Sequence, residues 1–285
     1  MPGVVFVNPN AGPDDTDLAD LRERFDGHRV TPVDPADLAA GVRDARESGP
    51  AFVGVAGGDG TIRVVAEELV GGPTPLLVVP EGTRNHFARD VGIESLDDAT
   101  AAASGDRTMK VDTGEVNGRV FVNNSSLGLY PKIVIRRRVH ERRLRKGVAT
   151  IVATVEQMRD ANPVTAEVDG ASYQAWMIFV GNGLYGDGLL DLSDRERMNT
   201  GTLDVRVVRA DHPFARLRIL GALLLGRLAR SPLVVRLQVP AVTISLDRPE
   251  VEVALDGEVV RMQPPLVYRS VAGGLQVKLP PDSLE

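Results

Sequence analysis

Short apolar runs alternate with stretches of helical spacing through the first part of the chain. Val4–Val7, Arg29–Val33, Ala51–Ala56 and Leu76–Val79 are nearly continuous in apolar or β-branched residues, the pattern of strands buried on both faces. Between them, Asp17–Phe25, Pro35–Glu47 and Thr61–Val70 place apolar residues three and four positions apart, which predicts amphipathic helices. Helix starts are expected at Asp34-Pro35 and at Thr61. Strand and helix in strict alternation predict an α/β domain with a parallel sheet.

The rhythm then changes. Alternating segments meet at Asn117-Gly118, Asp169-Gly170 and Asp256-Gly257, each a hairpin signal. Two helical patterns, Pro131–Arg159 and Pro213–Leu228, interrupt what otherwise reads as antiparallel β structure. The expected organisation is an α/β domain over 1–120 and a β-rich domain over 121–274, with a final strand at about 275–285 returning to the first.

Composition narrows the chemistry. The chain has 285 residues, 43% hydrophobic and 25% charged, which is globular composition. It has no cysteine, so disulfides, thiolate nucleophiles and Cys-ligated metals are excluded. With four histidines, a His-based transition-metal site has little support. The net charge of −6 disfavours a nucleic-acid partner, but it is unevenly spread. Lys132–Lys146 holds eight basic residues and one acid, a net +7, leaving −13 elsewhere. No apolar stretch approaches the ~20 residues of a membrane span, and the N-terminus reads as a first strand, not a leader.

Candidate chemistry gathers at strand ends. Val53-Gly54-Val55-Ala56-Gly57-Gly58-Asp59-Gly60-Thr61 is a strand feeding a small-residue loop and then a helix. Glycines let backbone N–H groups approach phosphate oxygens, and the helix dipole favours the anion. Asp59 does not welcome phosphate, so its carboxylate is expected on a metal, a water or a hydroxyl. Alone, such a loop is equally an ordinary strand-to-helix turn. A second loop of similar design, Pro80-Glu81-Gly82-Thr83-Arg84-Asn85-His86, follows the next strand, and Asn8-Pro9-Asn10-Ala11-Gly12 follows the first. Parallel neighbours put such loops along one edge, where ligands bind, and three of them together favour the phosphate reading. Neither a Walker A loop nor a G-x-G-x-x-G turn is present.

Asn8-Pro9 with Gly12, Gly57-Gly58-Asp59-Gly60-Thr61, Pro80-x-Gly82-Thr83-x-Asn85-x-Phe87-Ala88-Arg89 and Asp256-Gly257-Glu258 resemble the diacylglycerol kinase catalytic-domain family. That group includes sphingosine, ceramide and bacterial lipid kinases, with NAD kinases and phosphofructokinases as distant relatives. The resemblance spans nearly the whole chain. It implies a NAD-kinase-like α/β domain joined to a β-sandwich-like domain, with ATP and Mg²⁺ in the cleft. Nucleotide contacts would come from Thr31 after the second strand, from Gly57, Gly58, Asp59, Gly60, Thr61, Ile62 and Arg63, and from Gly82 and Thr83, with Asn8 and Asn85 adjacent. Glu258 would be the catalytic proton acceptor and Asp256 its orienting or metal-linked partner, although Asp256-Gly257 alone reads as a hairpin turn. Asp59 and Asp112 would serve the Mg²⁺ water network. Three positions depart from the family: Arg63-Val64 stand where relatives have Asn-Glu, His86 where they have Asp, and Thr200 where they place a carboxylate on a structural Mg²⁺, leaving backbone positions at Arg197 and Thr202.

The function so implied is ATP-dependent phosphorylation of a hydroxyl on a diacylglycerol-like lipid in phospholipid biosynthesis. The alternatives are a kinase for a soluble metabolite such as NAD and a non-catalytic nucleotide- or lipid-binding relative. The Asn-Glu pair of NAD kinases is replaced by Asn123-Asn124-Ser125. The basic run Lys132–Lys146 is either a solvated face paired with acids or a patch facing an anionic membrane. The second reading gives a cytoplasmic protein peripheral at the inner membrane face. His140 in that run is expected to be solvated, His86 to start a helix, and Trp176 and Phe179 to pack in the core.

Overall fold

A computed structural model describes residues 1–8, 18–82, 85–129, 162–186, 195–224 and 231–281, with 136, 139, 140, 148, 152, 153 and 155–157 between the third and fourth spans. Thr83 and most of Lys132–Lys146 lie outside the described residues.

The first half is a parallel sheet in the order β4-β3-β1-β2, formed by β1 (Val4–Val7), β2 (Arg29–Pro32), β3 (Val53–Gly57) and β4 (Leu76–Pro80). Helices α1 (Leu18–Arg24), α2 (Leu38–Glu47) and α3 (Asp59–Leu69) alternate with these strands. β1 and β3 are buried at every residue, whereas Arg29 and Pro32 of the outer strand β2 are exposed. The helices turn Leu38, Val42 and Ala45 of α2 and Ile62, Val65, Ala66 and Leu69 of α3 inward. Both starts differ from the sequence expectation. Asp34 accepts the Ala36 N–H, and α2 begins only at Leu38. α3 begins at Asp59, before Thr61, because Gly58 is extended (φ −87°, ψ 179°) and already serves as its N-cap. Two short helices follow β4, α4 (His86–Asp90) and α5 (Leu96–Ser104). Ser95 and Asp98 form a reciprocal cap at the start of α5.

The second half is antiparallel. It comprises β5 (Thr108–Val116), β6 (Arg119–Phe121), β7 (Asn124–Gly128), β8 (Val164–Val168), β9 (Ala171–Asn182), β12 (Leu203–Arg209), β13 (Val234–Val239), β14 (Ala241–Leu246), β15 (Val251–Leu255) and β16 (Glu258–Met262). A separate two-strand ribbon pairs β10 (Leu184–Tyr185) with β11 (Arg195–Arg197), and α6 (Ala215–Leu224) follows β12. The three hairpin signals are realised: φ is +46° and +83° at Asn117-Gly118, +50° and +84° at Asp169-Gly170, and +48° and +90° at Asp256-Gly257. Two positive φ values in a two-residue loop define the turn that matches strand twist.

One strand belongs to both halves. The start of β17 (Leu266–Lys278) pairs with β14, while Val277 pairs with Leu76 of β4 in parallel, and β5 runs alongside with a register break between Val271 and Leu275. Fifteen strands thus share one hydrogen-bonded network. Three apolar cores fill the fold. The first lies around β1, β3 and β4 and takes in Leu275 and Val277. The second fills the sandwich around Phe121, Ile178, Val205 and Tyr268. The third lies outside it, where Trp176, Phe179 and Val208 pack against Ala153 and Ile219.

Candidate active site

β3 delivers Gly57 and Gly58 directly into α3, and no side chain caps that helix. Its first-turn N–H groups therefore face the loop edge, which is the local requirement for holding an anion. The second loop closes on the first at Gly82. A Cβ there would stand 2.5 Å from the Gly58 Cα and 2.6 Å from the Asn85 Oδ1, so only glycine allows the approach. Asn85, at φ +47°, accepts the Gly82 N–H at 2.9 Å.

Asp59 joins the two loops. Its carboxylate accepts from the backbone N–H of His86 (3.3 Å) and Phe87 (3.1 Å), capping α4 from across the sheet edge, and from Asn123 Nδ2 (3.2 Å). These donors come from α4 and from the loop before β7, elements the sequence does not place beside Asp59. His86 does start α4, and its Nδ1 meets the Arg89 guanidinium at 3.0 Å.

The antiparallel half brings the Asp256–Glu258 turn to the same edge. A Cβ on Gly60 would lie 2.8 Å from Glu258 Oε1, so the Glu258 side chain covers the first turn of α3. Its other oxygen accepts from Arg63 Nη2 at 2.5 Å, and its side chain remains 51% exposed. Arg63 is buried and also donates to Glu67, which pairs with Arg119 at 2.8 Å. Asp256 behaves differently. Its carboxylate accepts three consecutive backbone N–H groups, from Val122 (2.8 Å), Asn123 (2.8 Å) and Asn124 (3.0 Å). Burial pushes its pKa up to about 6, the three amides pull the other way, and the charge of Asp59 adds to the rise.

The structure does not bring every expected residue to this edge. Ile62 is fully buried and its N–H donates to Gly58 O; Arg63 does reach the edge, where it pairs with Glu258 and Glu67. Thr31 lies within β2, opposite Phe6 and separated from β3 by β1, and not beyond the strand end. Asn8 is at the end of β1, its N–H on Ala56 O. Asp112 accepts through its two oxygens the N–H groups of Gly201 (2.6 Å) and Gly273 (2.8 Å), pinning the turn before β12 to the bulge in β17. At the nearby departure position, Thr200 and Thr202 hydroxyls bond each other at 2.8 Å.

Chains of known character match this arrangement. Residues 2–116 match the diacylglycerol kinase catalytic domain, and residues 132–279 match the YegS C-terminal NAD kinase beta sandwich-like domain. A protein of Pseudomonas aeruginosa named "Probable lipid kinase YegS-like" is 30% identical over 292 aligned positions, covering 98% of this chain and 94% of its own. The chain belongs to the diacylglycerol kinase catalytic-domain family. An Escherichia coli member named "Probable lipid kinase YegS" is 32% identical over 64% of each chain. In fold, the chain matches a crystal structure described as a diacylglycerol kinase from Bacillus anthracis, with TM-score 0.69, 20% identity and coverage of 99% and 98%.

For a member of this kinase family, the glycine-lined edge and the open start of α3 fit a nucleotide's phosphates. The donor set does not fit a protein-caged Mg²⁺. Among the described residues no three carboxylate or histidine groups converge on a metal position; the oxygens of Asp59 and Asp112 accept N–H donors and retain lone pairs that can accept from water. Sequence reasoning passed over the residues that brace the edge from below. Asn123 Oδ1 accepts from Arg195 Nη2 at 3.0 Å, which orients its amide toward Asp59. Arg195 Nη1 donates to Val122 O at 2.7 Å, and its Nε and Nη2 bond the Asp90 carboxylate. Its guanidinium lies 5.9 Å from the ring centroids of both Phe87 and Tyr185, and Tyr185 donates its hydroxyl to Asn123 O at 2.7 Å. Burial raises the pKa of Asp90 despite the attraction of Arg195. The only sequence signal was two adjacent asparagines at a strand start; Arg195 sits in an alternating charge run that resembles any solvated segment.

Proposed function

We propose that the protein is an ATP-dependent lipid kinase, transferring the γ-phosphoryl group to a hydroxyl of a diacylglycerol-like lipid in the cleft between the 1–120 and 121–274 units. The observation that carries this reading is Glu258: its carboxylate covers the open first turn of α3 while half of its side chain stays accessible. The nucleotide's phosphates lie along Gly57–Thr61 and Gly82, with Asn85 adjacent. The hydroxyl oxygen forms a bond to the γ-phosphorus, the bond to the ADP oxygen breaks, and the hydroxyl proton passes to Glu258. Arg63 holds that carboxylate in place, and Asp256 fixes the turn that presents it. Phosphoryl transfer asks mainly for this positioning and charge balance. Mg²⁺ is expected as the usual companion of the nucleotide, and no step here rests on it.

β7 and β15 lead away from Asn124 and Leu255 to a cleft of about 600 Å³ whose lining mixes Leu127, Leu129, Trp176 and Val251 with Arg248, Glu250, Glu252 and Arg261. Four strand residues at ~3.3 Å each put that cleft ~13 Å from the turn; its charged lining suits a polar group, and the lipid reading does not rest on it. The names of the relatives support a lipid acceptor. The test is a lipid panel with Mg-ATP and the purified protein, read by mass spectrometry, with NAD as a parallel acceptor. Phosphorylated lipid that disappears in Glu258→Gln supports the reading. Phosphorylation of NAD alone, or of nothing, overturns it.

A further inference from the structure

Eight large apolar side chains are strongly exposed among the described residues, and five of them (Val139, Val148, Val155, Phe214 and Leu217) lie on the two helical segments over the outer core. The segments share that core: Ala153 of one and Ile219 of the other pack in the same cluster against Trp176 and Phe179. Each segment therefore seats at least one residue on the same sandwich face.

α6 is divided accordingly. Ala215 and Ile219 turn inward, whereas Phe214 (77% exposed), Leu217 (68% exposed) and Arg218 face out. Phe214 is the residue from which the helix begins, its carbonyl accepting the Arg218 N–H at 3.0 Å. Ser, Thr, Asp or Asn normally stands there, because each can cap the first N–H groups. Phe214 offers no cap and adopts φ +56°, in the left-handed region that strains a bulky residue. Neither choice helps the helix; both leave an aromatic ring in water. From His212 to Ser231 the sequence has four arginines (Arg216, Arg218, Arg227 and Arg230) and no acid. In sequence, the run Lys132–Lys146 carries a net +7, and within it Arg136 and His140 both meet Glu156.

We propose that the outward stripe of α6, Phe214 and Leu217 beside Arg218, docks on an anionic bilayer surface, the two apolar side chains entering the interface within a cationic stretch of sequence that favours lipid phosphates. Charge and size select that occupant: two apolar tips are too few for a buried protein interface, and the sequence from His212 to Ser231 around them is cationic and lacks acids. The proposal rests on the lipid-acceptor reading for its purpose but not for its test.

The experiment is vesicle flotation of the whole protein without nucleotide, comparing phosphatidylglycerol-containing vesicles with pure phosphatidylcholine. Wild type is expected to float with the anionic vesicles and to release as salt screens the arginines. Phe214→Gly combined with Leu217→Gln should bind about tenfold more weakly or worse. Phe214→Gly suits the positive φ, so its melting temperature should hold or rise, which separates lost docking from lost folding. Unchanged flotation of the double variant overturns the proposal, as does failure of wild type to float. So does the loss of a wild-type dimer in sedimentation with flotation intact, which would make the patch a contact between copies. A protein that floats through this stripe yet phosphorylates no lipid would leave the surface standing and refute the acceptor reading instead.

Discussion

The two sides of the candidate site are built from different materials. The parallel half contributes backbone: glycines, an uncapped helix start and loop N–H groups. The antiparallel half contributes long charged side chains held by a buried lattice of amides. A phosphate-binding edge needs little more than close approach and free N–H groups, whereas a proton acceptor must be held at one place and left accessible. Asp256 and Glu258, two residues apart on one turn, show how this is met. The first gives all its acceptor capacity to the backbone, and the second keeps half of its side chain open.

The sharpest way to break that division is Glu258→Gln. Turnover should fall about 10²–10⁴-fold in a lipid phosphorylation assay, while urea denaturation shifts by about 1 kcal/mol or less, since the amide oxygen still accepts from Arg63. Arg195→Met should do the reverse. It leaves the buried Asp90 without its cation and Asn123 without its orienting donor, at a cost of about 3–5 kcal/mol in the same denaturation experiment. Near-wild-type stability for that variant would show that the brace is dispensable.

Acidity sharpens the role of Asp256. Its pKa rises on folding from 3.8 to about 6, so between those values the folded chain keeps a proton that the unfolded chain has released. Its contribution to stability is present in full below about pH 4 and declines as pH rises through 6, by up to about 3 kcal/mol. Stability measured from pH 4 to 7 should slope downward from this group, and Asp256→Asn should remove that share of the slope. A residual slope of the same sign is expected from Asp90, whose pKa burial also raises. The mildest comparison is between two glycines. Gly82→Ala forces backbone against backbone and should cost about 1–3 kcal/mol. Gly60→Ala meets only the mobile end of Glu258, so turnover should suffer before stability does.

What was legible in the sequence follows the same line. Gly57-Gly58-Asp59-Gly60 and the Asn-Gly and Asp-Gly turns are local devices, each using residues that few other conformations require. Buried runs such as Val53–Ala56 announce parallel strands just as directly. Asp59 and Asp112 could be singled out but not understood, because their partners are backbone N–H groups brought by other elements, Gly273 being 161 positions from Asp112. Arg195 had no local mark. Its role exists only where β11, α4 and the loop before β7 converge. Ile62 shows the converse, since adjacency to a motif does not decide which way a helical residue points. His140, expected in water, instead meets Glu156.

Strand β17 carries a consequence for biosynthesis. The partner of Leu76 is Val277, about two hundred positions later, and Leu275 and Val277 fill part of the core built by the earliest strands. During translation that core must wait, its edge strand β4 unpaired on one side, until almost the entire chain has left the ribosome. Contacts of such separation are slow to form, and the waiting edge is open to wrong pairings. The nascent first half thus carries an open sheet edge until β17 has been made.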